Sequence, residues 1–140
     1  MTQRVIGLFL ILFFAASPAR AGDAEARIQA AMDAANSWLA LVDEGKYDQS
    51  WSESASFFRS KVTQEDWKKQ IQAARAMVGK FGSRKTKGSQ AFTSLPGAPD
   101  GKYVVIQYDA SFEKKKDAVE TVTPTLDKDG KWHVSGYFIK

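Results

Sequence analysis

The stretch Lys102-Tyr103-Val104-Val105-Ile106-Gln107-Tyr108-Asp109-Ala110-Ser111-Phe112 decides the fold. Val104, Ile106, Tyr108, Ala110 and Phe112 fall on one face of an extended chain, and Tyr103, Val105, Gln107, Asp109 and Ser111 on the other. A period of two with one apolar face belongs to a half-buried strand, and the first set is the core face. Downstream, Glu113–Asp117 with its three lysines reads as a charged turn and Ala118–Leu126 as a Thr-rich strand. Asp127-Lys128-Asp129-Gly130 follows as a hairpin turn, and Lys131–Ile139 as the last strand. Upstream, Leu95-Pro96-Gly97-Ala98-Pro99-Asp100-Gly101 is dense in turn residues, and Ser83–Thr93 reads as a strand with a polar start. Four strands joined by short turns make an antiparallel meander.

Before Gly82 the period is helical. Ile28, Ala31, Met32, Ala35, Trp38, Leu39 and Val42 recur every three or four residues over Asp23–Glu44, an amphipathic helix stopped by Gly45. Lys46–Trp51 starts a second short helix with Tyr47 and Trp51 on one face. A Ser-rich stretch with Phe57 and Phe58 then leads to Thr63, an N-cap residue with Glu65 and Asp66 in the first turn. Trp67, Ile71, Ala74 and Val78 form the buried stripe of a third helix, ended by Gly79 or Gly82. Helices first and a curved four-stranded antiparallel sheet after them predict one α+β domain over residues 22–140.

Residues 1–21 read differently. Arg4 precedes the apolar run Val5–Ala16, and Ser17-Pro18 leads to Ala19-Arg20-Ala21, an Ala-x-Ala cleavage signal. The run is too short to span a bilayer, which takes about 20 apolar residues. The expectation is a signal peptide cut after Ala21, delivery to the periplasm or outside the cell, and no stable membrane insertion afterwards.

Composition narrows the chemistry. With no Cys and one His among 140 residues, the chain has no disulfide, no thiol nucleophile and no thiolate or multi-imidazole zinc site, and no cofactor is expected. The formal charge of +4 falls to +2 once Arg4 and Arg20 leave with the leader, far from the basic excess of a nucleic-acid binder. What remains is polarised. Residues 22–66 carry four bases and nine acids, and residues 67–140 carry fourteen and seven. This is the signature of an acidic helical layer against a basic sheet.

The residues Trp38-x-x-x-Val42-Asp43-x-Gly45-x-Tyr47-x-x-x-Trp51, Trp67, Ser83-Arg84, the Leu95–Gly101 loop, Phe112, Glu120-Thr121 and Asp129-Gly130-x-Trp132-x-Val134-x-Gly136-Tyr137 resemble a bacterial family known as domain of unknown function 4019. The resemblance spans nearly all of residues 22–140 and implies an exported bacterial protein, with no reaction attached. The order of elements is more distantly similar to the cone-shaped fold of nuclear transport factor 2-like proteins, in which helices close one side of a bent sheet. That is a likeness of fold and carries no function.

Two groups of residues stand out as a candidate ligand site. Glu120 shares a strand face with Val122, Pro124 and Leu126, and Arg84 shares one with Phe92, so both heads point toward the interior. A carboxylate among apolar groups needs a partner, and a guanidinium supplies one. The pair reads either as a strand-to-strand ion pair or as the polar part of a cavity mouth. Trp132, Tyr137, Tyr108 and Trp51 read as core aromatics or as a pocket floor, with Gly136 allowing close approach beside Tyr137. His133 and Asp109 read as solvated, Asp127-x-Asp129-Gly130 as a turn rather than a calcium loop, and Lys114–Lys116 as edge protection.

Three functions fit. The first is an exported domain that binds a small molecule or an exported protein, with no chemistry of its own. In the second, an enzyme of the same fold uses Glu120 or Asp109 as general base and Tyr137 as donor to an oxyanion. A homodimeric module joined through the open sheet face is the third.

Overall fold

The computed structural model describes residues 19–140. Four helices, α1 (Ala19–Asp43), α2 (Tyr47–Ser52), α3 (Ser56–Lys61) and α4 (Gln64–Val78), precede four strands, β1 (Phe81–Phe92), β2 (Tyr103–Phe112), β3 (Lys115–Leu126) and β4 (Trp132–Ile139). The strands pair antiparallel in the order β1-β2-β3-β4, an open α+β meander as the pattern predicted. The expected leader lies outside the described residues except for Ala19-Arg20-Ala21, which open α1. Among the described residues no helix is long and apolar enough to cross a membrane.

The helical stripe of α1 packs as its spacing requires. Ala31, Ala35, Trp38, Leu39 and Val42 are buried against Val104, Ile106, Tyr108, Val122 and Val134 of the sheet and Trp67 and Ile71 of α4. A second cluster, Val78, Ala110, Phe112 and Ala118, fills the far end. Thr63 caps α4, its hydroxyl accepting from the Asp66 N–H at 3.2 Å. Gly79 stops that helix at φ 78°, where a Cβ would stand 3.0 Å from the Glu113 Cβ.

Three sequence expectations need correction. The Ser-rich stretch contains a helix of its own, α3. Its first N–H is held by the Asp127 carboxylate, 71 residues away, at 2.8 Å, a contact that local propensity does not encode. The charged turn between β2 and β3 shrinks to Glu113-Lys114, because β3 already begins at Lys115. In β1 the register passes from Thr86↔Tyr108 to Gly88↔Gln107, leaving Lys87 unpaired in a bulge. Such an extra residue reverses the facing of all that follows. Phe92 therefore sits opposite Tyr103 while Arg84 sits opposite Ala110, and the two do not share a face. A second bulge at Ser135, between Gly136↔Thr123 and Val134↔Pro124, turns Tyr137 inward and leaves Phe138 57% exposed.

Candidate functional site

Five elements converge on one buried polar cluster. Asp43 ends α1, and Arg75 lies on the inner face of α4, one turn beyond Ile71. Arg84, Glu120 and Tyr137 come from β1, β3 and β4. Glu120 is fully buried. Its Oε1 accepts from Arg84 Nε at 2.6 Å, and its Oε2 accepts from the Tyr137 hydroxyl and, at 3.4 Å, from Arg75 Nη2. Arg84 spends its remaining nitrogens on Asp43, with Nη1 at 2.7 Å from Oδ2 and Nη2 at 3.0 Å from Oδ1, and Arg75 Nη1 adds a third bond to Asp43 at 2.9 Å.

Two guanidinium groups thus face two carboxyl groups, and the planar fork of arginine suits this shared geometry better than lysine would. The rings around them contribute as well: Arg84 stacks at 4.3 Å over Phe81, and Arg75 at 5.0 Å over Phe112. Burial by itself would lower the Arg84 pKa, but the hydrogen bonds to Asp43 and Glu120 and their charges outweigh it, so the pKa is raised. Burial and then the Glu120 charge hold the Tyr137 phenol well above its ordinary value, with Arg75 opposing, so it remains a donor. Tyr108 donates to Asn36 Oδ1 at 2.8 Å, and burial pushes its pKa up to about 12.

Of the six residues singled out from the sequence, Arg84, Glu120 and Tyr137 are bonded together, and Tyr108 borders them, its ring 5.9 Å from the Arg84 guanidinium. Trp51 is elsewhere, its indole N–H donating to the Val62 carbonyl at 2.8 Å. Trp132 lies at the other end of the sheet, paired with Leu126. Gly136 is not a point of close approach, since a Cβ there would meet Thr123 at an ordinary 3.8 Å. The sequence reading missed Asp43 and Arg75. Arg75 was detectable in principle, because it continues the Trp67 and Ile71 stripe at a spacing of four.

The family model described as protein of unknown function, DUF4019, matches residues 34–137. The chain belongs to that family. No curated protein matches it. The DUF4019 match contains every member of the buried cluster, from Asp43 to Tyr137.

In this DUF4019 chain the cluster is separate from an apolar cavity beside α1. This cavity, of about 430 Å³, lies between the Ala24–Ile28 turns of α1 and the ends of β1, β2 and β4, lined by Ile28, Ala91, Val104 and Trp132, with Arg27 and Lys102 also in its wall. A second, of about 410 Å³, lies between α3 and the Pro99–Gly101 loop. That loop is held down at Tyr103, whose hydroxyl donates to the Pro99 carbonyl at 2.5 Å, so Tyr103 is buried despite its position on the polar face of β2. His133, read as solvated from the sequence, is bonded at both ring nitrogens, Nε2 to Asp129 Oδ2 at 2.7 Å and Nδ1 to the Glu53 carbonyl at 3.0 Å. Both partners are acceptors, so the geometry suits the imidazolium form.

Proposed function

We propose that this chain is an exported binding domain that holds a small molecule in the cavity between α1 and the ends of β1, β2 and β4. The observation that carries the reading is that cavity. Its volume of about 430 Å³ falls in the range of small-molecule sites, and its wall combines apolar and aromatic side chains with a few polar ones. The Ala-x-Ala signal at residues 19–21 supports export. The enzymatic alternative with Glu120 as base finds less support, since that carboxyl is fully buried and both its oxygens already accept from Arg84, Arg75 and Tyr137. Asp109 is exposed on β2, and no hydrogen bond from a neighbouring side chain orients it among the described residues.

The test is native mass spectrometry of the full chain expressed with its own leader and recovered from the compartment to which it is delivered. A retained small molecule that Trp132→Ala releases supports the reading. A bare protein that also fails to take up added ligands would sink it.

A second reading has one observation in its favour. Phe138 stands 57% exposed on β4, beside Thr121 of β3, and a large apolar side chain in that position suits a contact between two sheets. Sizing the purified chain over a hundredfold dilution separates the readings, since a homodimer runs at twice the monomer mass and Phe138→Ser shifts it back.

A further inference from the structure

The reading of the α1 cavity as a ligand site can be taken one step further, to the class of ligand. We infer that the cavity takes an amphipathic organic anion, with its charged head between Arg27 and Lys102 and its apolar or aromatic body against Ile28, Ala91, Val104 and Trp132. This inference rests on the proposed function, and the experiment below separates its failure from that of the cavity itself.

The argument is one of charge and surface. The residues lining this cavity include two cations, Arg27 and Lys102, and no carboxylate. Of four other cavities among the described residues, one on β1 and β2 carries no charge and three are mixed in sign. The one beside the buried cluster has Asp43, Glu44 and Glu113 with Arg75, Lys80 and Lys114. That on the β1–β2 face has Asp109 and Asp117 with Arg84, Lys85 and Lys116, and the α3 cavity has Asp100 and Asp127 with Lys128. A wall of one sign in a chain whose charges nearly balance leaves an electrostatic preference for an anion.

Neither cation is committed elsewhere. Among the described residues the ion pairs join Lys46, Lys68, Lys69, Arg75, Arg84, Lys115 and His133 to acids, and Arg27 and Lys102 take no part. Both are nonetheless fixed at the backbone. Arg27 sits inside α1, and the Lys102 carbonyl accepts from the Leu126 N–H at 3.0 Å and the Thr125 hydroxyl at 2.9 Å. Trp38, Trp51 and Trp67 each have an acceptor for the indole N–H, whereas Trp132, in the cavity wall, has none among the described residues. Apolar walls with cations at one side and no acid match the two halves of an amphipathic anion.

The experiment titrates the purified full-length protein with dodecanoate, dodecanol and dodecyltrimethylammonium below their aggregation limits, and with 2-naphthoate and 2-naphthol, by calorimetry. An anion is expected to bind about tenfold more tightly than its uncharged counterpart, the scale of one or two partly exposed ion pairs. Arg27→Gln with Lys102→Gln is expected to erase that preference while leaving the alcohol's affinity unchanged, with circular dichroism confirming the fold. If the alcohols or the ammonium compound bind as well as the anions, the ligand class is wrong and the cavity reading stands. If none of the five binds, or if Trp132→Ala leaves all binding untouched, the cavity reading itself falls.

Discussion

Arg84 Nε stands 2.6 Å from Glu120 Oε1, and this contact joins the edge strand β1 to β3 across the intervening β2. Neither partner meets bulk water freely, so each depends on the other. Breaking a buried pair from one side leaves an uncompensated charge and costs about 3–5 kcal/mol. Arg84→Met and Glu120→Leu are each expected to lose that much in urea unfolding. The double variant Arg84→Met with Glu120→Leu should recover part of it, because the charges leave together. Additive losses would show that the two residues act independently.

Tyr137→Phe removes the hydroxyl that donates to Glu120 and accepts from Arg75. A buried acceptor left short of a donor costs about 1–3 kcal/mol. Its neighbour provides the control: Phe138→Ser, at an exposed position of the same strand, should change stability by no more than about 0.5 kcal/mol. Equal effects at the two positions would contradict the facing set by the Ser135 bulge.

Ser50 serves two indoles from the middle of α2. Its hydroxyl accepts from Trp67 Nε1 at 2.9 Å, and its carbonyl accepts from Trp38 Nε1 at 2.9 Å. Ser50→Ala leaves the Trp67 donor buried without an acceptor, and a loss of about 1–3 kcal/mol is expected. Ser50→Thr, which keeps the oxygen, should keep more stability than Ala if its added methyl is accommodated. Chemical denaturation followed by tryptophan fluorescence reads both.

Stability should depend on pH through the β3–β4 turn. Burial would raise the Asp127 pKa, but hydrogen bonds from the Ser56 backbone and hydroxyl and from the Lys128 N–H, with the His133 charge, lower it to about 2. Its contribution is therefore complete above the ordinary value of 3.8 and lost as pH falls toward 2. Burial would lower the His133 pKa, but Asp129 and the Glu53 carbonyl raise it above 6.5. Its contribution is complete below 6.5 and is lost as pH rises through the raised value. Denaturation midpoints across pH 2–9 should decline at both ends, with Asp127→Asn flattening the acid limb and His133→Gln the alkaline one. An unchanged alkaline limb in His133→Gln would rule out the imidazolium bridge.

The sequence revealed most where one periodicity ran uninterrupted. The α1 stripe and the Val104-to-Phe112 face are buried as read, and Thr63 caps the helix it was assigned to. It also brought Glu120 into consideration, since a charged residue on an apolar face demands a partner, whereas Arg84 was reached through a face shared with Phe92 that the Lys87 bulge removes. It failed where facing depended on a single unpaired residue. Lys87 and Ser135 have no local mark that distinguishes a bulge from a continuing strand, although Gly88 and Gly136 lie beside them. Asp43 and Arg75 escaped for another reason. Asp43 stands beside Glu44 at the end of α1, and Arg75 continues an apolar stripe, but a single charge on a helix reads as solvated until the partner from another element is seen.

The buried charge cluster binds the ends of the chain to one another. Its members are 94 residues apart at the extremes, from Asp43 to Tyr137, and no contiguous half of the domain contains both arginines and both of their carboxyl partners together with the tyrosine. A nascent chain still short of β3 would therefore hold Asp43, Arg75 and Arg84 without Glu120, and one short of β4 would leave Glu120 without the Tyr137 hydroxyl. Such states are penalised, so the domain should fold and unfold as a single cooperative unit, and removal of only the last four residues, Tyr137–Lys140, should affect α1 and α4 as much as the sheet.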